Sequence, residues 1–179
     1  MESGITSAVI GCGRMGAFTS ESVRRHAPAC WLPLSHADAI RRHPRTRLAA
    51  LCDVDPDALG RAAAEHGVER TYTDPARLLD EVRPALLGIA TRTIGRANLI
   101  AEALDAGVRA LHVEKPLCNG VAELRALQRA FAPEDVFVTY GAVRRHFPIY
   151  RQACDLVDSG RYGALREIRV ALGSGMLFW

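Results

Sequence analysis

The sequence contains a single lysine, Lys115, among 23 basic residues, and the other 22 are arginines. Lys115 lies between Glu114 and Pro116, directly after an apolar segment at residues 108–113 that we predict to be a buried strand. An amine differs from a guanidinium because its pKa can shift far enough for proton exchange near neutral pH. Burial would lower the pKa of Lys115 and the Glu114 carboxylate would raise it, and sequence does not rank the two. Taken alone, the tripeptide is compatible with a catalytic amine and with a chance placement.

A second candidate site is a glycine-rich run that fits Gly-x-Gly-x-x-Gly and consists of Gly11, Cys12, Gly13, Arg14, Met15 and Gly16. It follows a predicted strand at residues 7–11 and opens a predicted helix from about Arg14 to His26. Gly11 would permit the tight turn, Gly13 the approach of a pyrophosphate, and Gly16 close packing of helix and strand. The helix N-terminus would present N–H groups and a positive dipole to the phosphates. This context favours a dinucleotide site, bound by the whole run, over a purely structural turn.

An acidic residue, Asp53, ends the second predicted strand at residues 48–53 and is placed to bind the ribose hydroxyls of a dinucleotide. Its carboxylate would repel a 2′-phosphate, so it favours NAD over NADP. Asp53 lies 37 residues beyond Gly16, whereas the usual spacing is about twenty. We attribute the excess to residues 27–45. The alternative is that Asp53 only starts a turn.

Short apolar runs alternate with amphipathic stretches along the chain, which predicts a doubly wound α/β fold with a parallel sheet. Asp55-Pro56 and Asp74-Pro75 are typical helix starts, and Gly67 and Gly107 are typical helix ends. Further strands are predicted at residues 70–72, 84–91, 108–114, 136–140 and 165–172. Further helices are predicted at about residues 96–107, 121–131 and 147–159.

With the glycine-rich run, Asp53 and Glu114-Lys115-Pro116, the chain resembles the Gfo/Idh/MocA family of NAD(P)-dependent sugar and polyol oxidoreductases. Residues 141–148 also resemble the family's Gly-Tyr-Asn-Arg-Arg-Phe stretch. The resemblance implies that Lys115 is catalytic or polarises the substrate, and that Glu114 helps to hold cofactor and lysine. It also implies that Thr91 contacts the cofactor and that Pro116 follows a cis peptide bond.

The implied architecture is a Rossmann domain at residues 1–140, followed at residues 141–179 by the start of a C-terminal α+β domain for substrate binding and oligomerisation. The implied function is hydride transfer between NAD and a sugar, polyol or related secondary alcohol or ketone. Family members carry an Asp/His pair in the second domain that works with the lysine, and we expect this chain to be a segment that stops before it. The alternative is a non-catalytic NAD-binding module or an inactive fragment. We expect the full-length protein to be a homo-oligomer.

The chain departs from the family pattern at three positions. Arg92 follows Thr91 where relatives often have proline, Arg96 stands where a histidine enters the helix, and Val143 replaces a common asparagine. These differences leave the cofactor contact of Thr91 in place, but they leave the substrate class open. Arg144 and Arg145 are candidates for binding an anionic or hydroxylated substrate, and the alternative is that both are solvated.

Composition argues against several other functions. The net charge is +3 and the arginines are spread among carboxylates, so we expect no nucleic-acid partner. No segment approaches the roughly eighteen apolar residues of a membrane span, and we expect neither membrane association nor a signal peptide. The five cysteines are odd in number and lack Cys-x-x-Cys, which argues against a disulfide framework or a zinc site and for a cytoplasmic location.

The remaining histidines and one irregular segment have more than one interpretation. Surface positions on helices are expected for His26, His36, His43 and His66. His112 would share a strand face with Glu114, either as a core histidine or as part of the site. Residues 27–34 contain two prolines and are interpreted as a surface insertion, the alternative being a loop at the mouth of the site.

Overall fold

A computed structural model describes residues 4–29, 32–132 and 134–171, which divide into two compact units at Gly141 and Ala142. The first unit contains six strands: β1 (Ile5–Ile10), β2 (Thr46–Cys52), β3 (Thr71–Tyr72), β4 (Leu86–Ile89), β5 (Ala110–Val113) and β6 (Phe137–Tyr140). They form one sheet in the order β3-β2-β1-β4-β5-β6, and every neighbouring pair is parallel. This is the doubly wound order of dinucleotide-binding folds, so the predicted fold class is confirmed.

Six helices connect or flank these strands: α1 (Glu21–His26), α2 (His36–Arg42), α3 (Pro56–His66), α4 (Pro75–Val82), α5 (Arg96–Asp105) and α6 (Val121–Ala130). The predicted helix starts are confirmed, because the side chains of Asp55 and Asp74 cap α3 and α4 and a proline follows each. Gly67 ends α3 with a φ of 64°, a left-handed conformation that glycine adopts without strain.

The core has two layers, one on each face of the sheet, because successive strand residues point to opposite faces. Ala8 and Ile10 of β1 pack in the layer that includes residues of α4, α5 and α6. Val9, between them, packs in the layer with residues of α2 and α3. Each fully buried aliphatic side chain contributes about 1.5–3 kcal/mol to the stability of the fold. The buried strands therefore fix the positions at which the loops at their carboxyl ends begin.

The first crossover differs from the prediction, since no continuous helix runs from Arg14 to His26. Residues 13–17 form a single turn, in which Ala17 N donates to Gly13 O at 2.9 Å. The hydrogen-bond ladder then continues in α2, where His36 N donates to Met15 O at 2.9 Å and Ala37 N to Gly16 O at 2.8 Å. His36 therefore occupies the ladder position that residue 19 would hold in an uninterrupted helix.

Residues 19–35 are thus a 17-residue insertion within one crossover helix. Removing them shortens the Gly16-to-Asp53 separation from 37 residues to 20, the spacing usual for this fold. Our assignment of the excess to residues 27–45 was wrong, because α2 is the crossover helix itself. The insertion resembles a helix in sequence since it contains its own short helix, α1, capped by the Ser20 side chain.

The second unit contains a 3-10 turn (Val143–His146) and a helix, α7 (Pro148–Asp158). The strand predicted at residues 165–172 is wrong over its described part, because residues 165–171 have no strand assignment. A strand needs a neighbouring strand to bond its N–H and C=O groups, and the described residues of this unit supply none. Within the part of the chain that the structure describes, no helix has the length and hydrophobicity to cross a bilayer.

Candidate functional site

The glycine turn lies at the carboxyl ends of β1 and β4, where the strand order reverses. A Cβ on Gly16 would lie 1.6 Å from Gly11 O, and one on Gly11 would lie 2.7 Å from the carbonyl carbon of Ala90. Both positions therefore exclude side chains. A Cβ on Gly13, in contrast, would have nothing within 4 Å, so this part of the backbone faces open space. Ligands of doubly wound sheets bind at such a reversal point.

Asp53 joins the end of β2 to the glycine turn. Its Oδ2 accepts a hydrogen bond from Cys12 N at 2.6 Å, and its Oδ1 accepts one from Asp55 N at 2.9 Å. Asp53 therefore does start a turn, and it also fixes the glycine turn. The buried Cys12 thiol lies beside it, and burial together with the charge of Asp53 raises the pKa of Cys12 to about 12. Cys12 is consequently neutral at physiological pH.

Thr91 follows β4 and is only partly buried, but its hydroxyl is not solvated. Thr91 Oγ1 is buried and has no hydrogen-bond partner among the described residues. Buried hydroxyls almost always have partners, so this oxygen is available to a ligand. In the sheet order it lies one strand away from the glycine turn, which follows β1, and two strands away from Asp53, which follows β2.

Glu114 and Lys115 follow β5, the next strand. Glu114 is 7 % exposed, and its Oε2 accepts a hydrogen bond from Lys115 N at 3.1 Å. The peptide bond between Lys115 and Pro116 is cis, as the family resemblance implied. The Lys115 side chain is exposed, whereas the Glu114 carboxylate beside it is buried.

The Glu114 carboxylate is ionised at neutral pH. Burial alone would raise the pKa of Glu114, but the hydrogen bond and charge of His36, followed by the amide and ammonium of Lys115, hold it below its ordinary value of 4.5. Glu114 can therefore attract the ammonium of Lys115 while it fixes the backbone that carries it.

His36 is a site residue that the sequence did not reveal. It is buried, and its Nε2 lies 3.3 Å from Glu114 Oε1, although we expected it on a helix surface. The error has a physical origin: His36 and Glu114 are 78 residues apart, and the insertion hid the fact that His36 sits one helical turn beyond the glycine turn. His66 was also wrongly expected at the surface, since it is buried and its Nε2 bonds Ala17 O at 2.7 Å.

His36, His112 and Glu114 bring three potential metal-ligand atoms within 4.8 Å of one another. The two imidazole ring centroids are 4.5 Å apart, and His112 Nδ1 bonds Thr139 Oγ1 at 2.7 Å. Metal-bound histidines almost always donate their second ring N–H to an acceptor. His36 Nδ1 is buried and finds none among the described residues, so we assign this cluster to hydrogen bonding and not to metal binding.

A buried arginine links the ends of β4 and β5. Arg96 is 3 % exposed and donates hydrogen bonds to three backbone carbonyl oxygens, those of Thr91, Glu114 and Pro116. Burial lowers the pKa of Arg96, whereas the charges of Glu114 and Tyr140 oppose that change. The sequence marked Arg96 only as a departure from the family pattern, because nothing in its spacing shows which carbonyls it reaches.

The remaining candidates lie in the glycine turn and in the second unit. Arg14 and Met15 are exposed in the glycine turn, and Arg145 is exposed in the second unit. The side chain of Arg144 lies outside the described atoms. The roles of these four residues, like those of the other candidate site residues, stay predictions.

Comparison with known proteins agrees with this geometry. Residues 5–142 match the family Gfo/Idh/MocA, described as "Oxidoreductase family, NAD-binding Rossmann fold". The chain is 28 % identical over 166 residues to scyllo-inositol 2-dehydrogenase (NAD(+)) of Bacillus subtilis, covering 91 % of this chain and 43 % of that protein. It is 33 % identical over 123 residues to D-apiose dehydrogenase of Paraburkholderia graminis, covering 69 % and 28 %.

A solved structure is similar as well. The chain resembles scyllo-inositol dehydrogenase from Lactobacillus casei, crystallised with NAD(H) and scyllo-inositol, with a TM-score of 0.72 and 25 % identity over 90 % of this chain and 43 % of that one. The chain therefore spans less than half the length of each of these three proteins.

Proposed function

The chain belongs to the Gfo/Idh/MocA oxidoreductase family, and we propose that it forms the cofactor-binding part of an NAD-dependent dehydrogenase or reductase acting on a sugar, a polyol or a related secondary alcohol or ketone. One observation carries the proposal. The glycine turn, with two positions that exclude a Cβ, shares one edge of the sheet with Asp53, Thr91 and Glu114-Lys115. The inositol and apiose dehydrogenases among its relatives support the substrate class.

The residues at this edge fit NAD. The open backbone at Gly13 would face the diphosphate, Asp53 would accept hydrogen bonds from ribose hydroxyls, and the unpartnered Thr91 Oγ1 would face the cofactor. The rest of the glycine turn (Cys12, Arg14 and Met15) would line the same surface, and the Asp53 charge disfavours NADP. When bound, NAD supplies the acceptor or donor of the hydride.

Lys115 would act on the reacting oxygen of the substrate. Its exposed amine can donate a hydrogen bond to a hydroxyl or carbonyl oxygen and can move a proton to or from it. Glu114 would hold Lys115 in place through the amide hydrogen bond and keep its ammonium attracted to the cleft.

Other features of the whole protein follow from the same proposal. Residues 141–179 would begin a second domain for substrate binding and oligomerisation, in which Arg144 and Arg145 contact the substrate. We expect a cytoplasmic homo-oligomer whose partners are small molecules, with neither nucleic acid nor membrane among them.

Calorimetric titration with NAD+ and NADP+ tests the cofactor assignment. The chain should bind NAD+ more tightly than NADP+. Asp53→Ser should narrow this difference in affinity, because it removes the charge that repels a 2′-phosphate. Asp57→Ser, an exposed carboxylate in the first turn of α3, is the matched control and should leave the discrimination unchanged. If Asp53→Ser also leaves it unchanged, the assignment of Asp53 is wrong.

A panel of inositols, other polyols and sugars tests the reaction. In the complete protein, Lys115→Met should lower turnover by about 10²–10⁴-fold, the usual contribution of a proton-transferring group, with little change in NAD+ affinity. Arg125→Met removes an exposed cation from α6 and should have no effect. Normal turnover in Lys115→Met would refute its role, whereas NAD+ binding without turnover of any compound would favour a non-catalytic binding module.

A further inference from the structure

Arg96 occupies the gap that opens between β4 and β5 beyond their last backbone contact. The ladder between these strands ends with Glu114 N donating to Ile89 O at 2.9 Å. Past this point, within the described residues, no backbone–backbone hydrogen bond joins the segment after β4 to the segment after β5. The guanidinium bridges the gap by binding the Thr91 carbonyl on one side and those of Glu114 and Pro116 on the other.

Two of the three carbonyls flank Lys115 directly. Arg96 Nη1 binds Glu114 O at 2.6 Å and also Pro116 O, while Nη2 binds Thr91 O. The guanidinium thus ties the lysine backbone to the strand end that carries the unpartnered Thr91 hydroxyl. A planar guanidinium suits this task because its donors keep a fixed geometry, which the flexible ammonium of a lysine does not.

The arrangement is costly for a purely structural contact. A cation that is 3 % exposed loses most of its hydration. Its hydrogen-bond partners among the described residues are neutral carbonyls, and the charge of Glu114 opposes the effect of burial only in part. Its Nε is buried without a partner among the described residues. A neutral side chain could hold the helix start without this desolvation, so the guanidinium is better explained by what it positions.

We propose that Arg96 is a positioning residue for Lys115, holding the amine-bearing backbone at a fixed distance from the cofactor-facing end of β4. The proposal rests on the proposed function, since it assigns Lys115 to the reaction. It assigns to Arg96 no contact with substrate or cofactor.

The single lysine makes a direct experiment possible. Reductive methylation with ¹³C-formaldehyde labels only Lys115 and the terminal α-amino group, and it preserves the positive charge. In the wild-type chain, saturating NAD+ should shift the methyl signal of Lys115. In Arg96→Gln the NAD+-induced shift should be largely lost, because the backbone of Lys115 is no longer tied to β4. Calorimetry should show that this variant still binds NAD+.

Arg109→Gln is the matched control. Arg109 precedes β5 at the opposite end of the same strand, and it also binds backbone carbonyls, those of Leu104 at 2.7 Å and Val108 at 3.1 Å. Arg109 is exposed and also pairs with Asp135 Oδ2 at 3.1 Å, so Arg109→Gln should lose less stability in denaturant than Arg96→Gln. It should keep the wild-type response of Lys115. A folded Arg96→Gln chain with an unchanged response, or an equal loss of response in Arg109→Gln, overturns the proposal.

Two further measurements keep the proposal testable if Arg96→Gln does not fold. Arg96→His retains a ring donor and should give an intermediate response, and a wild-type response in that variant overturns the need for the guanidinium. In the wild-type chain, ¹⁵N NMR of arginine side chains should show slow rotation of the Arg96 guanidinium. Fast rotation would overturn the proposal that Arg96 is a positioning residue. A wild-type chain that does not bind NAD+ refutes the proposed function instead, so the two failures are distinguishable.

Discussion

The two ends of the candidate cleft are held together by different kinds of contact. At the end formed by β1 and β2, backbone atoms of the glycine turn approach one another so closely that side chains are excluded, and the neighbouring Cys12 thiol is neutral. At the end formed by β4 and β5, the structure depends on buried side chains, namely Arg96, Glu114 and His36, which bond across large sequence separations.

This difference predicts different sensitivities. The first end should tolerate no additional atoms at its tight glycines, because the contacts there are steric. The second should tolerate changes of size better than changes of charge, because its contacts are hydrogen bonds to ionised groups in a poorly hydrated place.

The largest effect is expected at Gly16. Gly16→Ala places a methyl group 1.6 Å from Gly11 O, so backbone must move, and the free energy of unfolding should fall by about 3 kcal/mol or more. Gly13→Ala is the control, with no atom within 4 Å of its added Cβ. It should stay within about 1 kcal/mol of wild type and weaken NAD+ binding. Denaturant unfolding measures both, and equal stability of the two variants would abolish the distinction between the ends.

A smaller, pH-dependent effect is expected at Glu114. Glu114→Gln keeps the shape but removes the charge, and it should cost about 1–3 kcal/mol at neutral pH. The native pKa of Glu114 lies below its ordinary value of 4.5, so the ionised carboxylate stabilises the fold at every pH above that value. This contribution is lost as the pH falls through the native pKa.

The difference in unfolding free energy between wild type and Glu114→Gln should therefore be constant near neutrality and shrink once the pH falls below 4.5. Glu102→Gln changes an exposed carboxylate on α5 and should give a small difference at all pH values. If the difference in unfolding free energy between wild type and Glu114→Gln persists at low pH, the charge of Glu114 is not what stabilises this end of the cleft.

The smallest effect is expected from deleting the insertion. Joining Phe18 to His36 removes residues 19–35 and leaves a continuous helical ladder, because His36 already bonds Met15 O. The deletion also removes an ion pair between Arg24 and Glu65, which is partly exposed and worth little. Stability should change by about 1 kcal/mol or less, and NAD+ affinity should be retained. Loss of NAD+ binding in a folded deletion variant would instead make the insertion a loop of the site.

The two ends also differ in how far sequence reveals them. The glycine turn, Asp53 and the Asp-Pro helix starts are predictable because each depends on neighbours in the chain and on local backbone geometry. His36 and Arg96 are not, since a buried polar contact depends on which elements pack together. The interrupted helix was missed for a related reason: residues 21–26 satisfy the local rules for a helix, and only the ladder from Met15 to His36 shows that they lie outside the crossover.

The interrupted ladder also bears on how the chain folds. Helices ordinarily propagate by adding adjacent residues at little entropic cost after a first turn has formed. In this crossover the second turn must recruit residues from beyond a 17-residue loop, so the loop has to close before the helix can grow. The β1–β2 half should accordingly organise later than the β4–α5–β5 unit, whose crossover helix is continuous. Folding rates should respond more to shortening the loop than to improving the helical preference of α2.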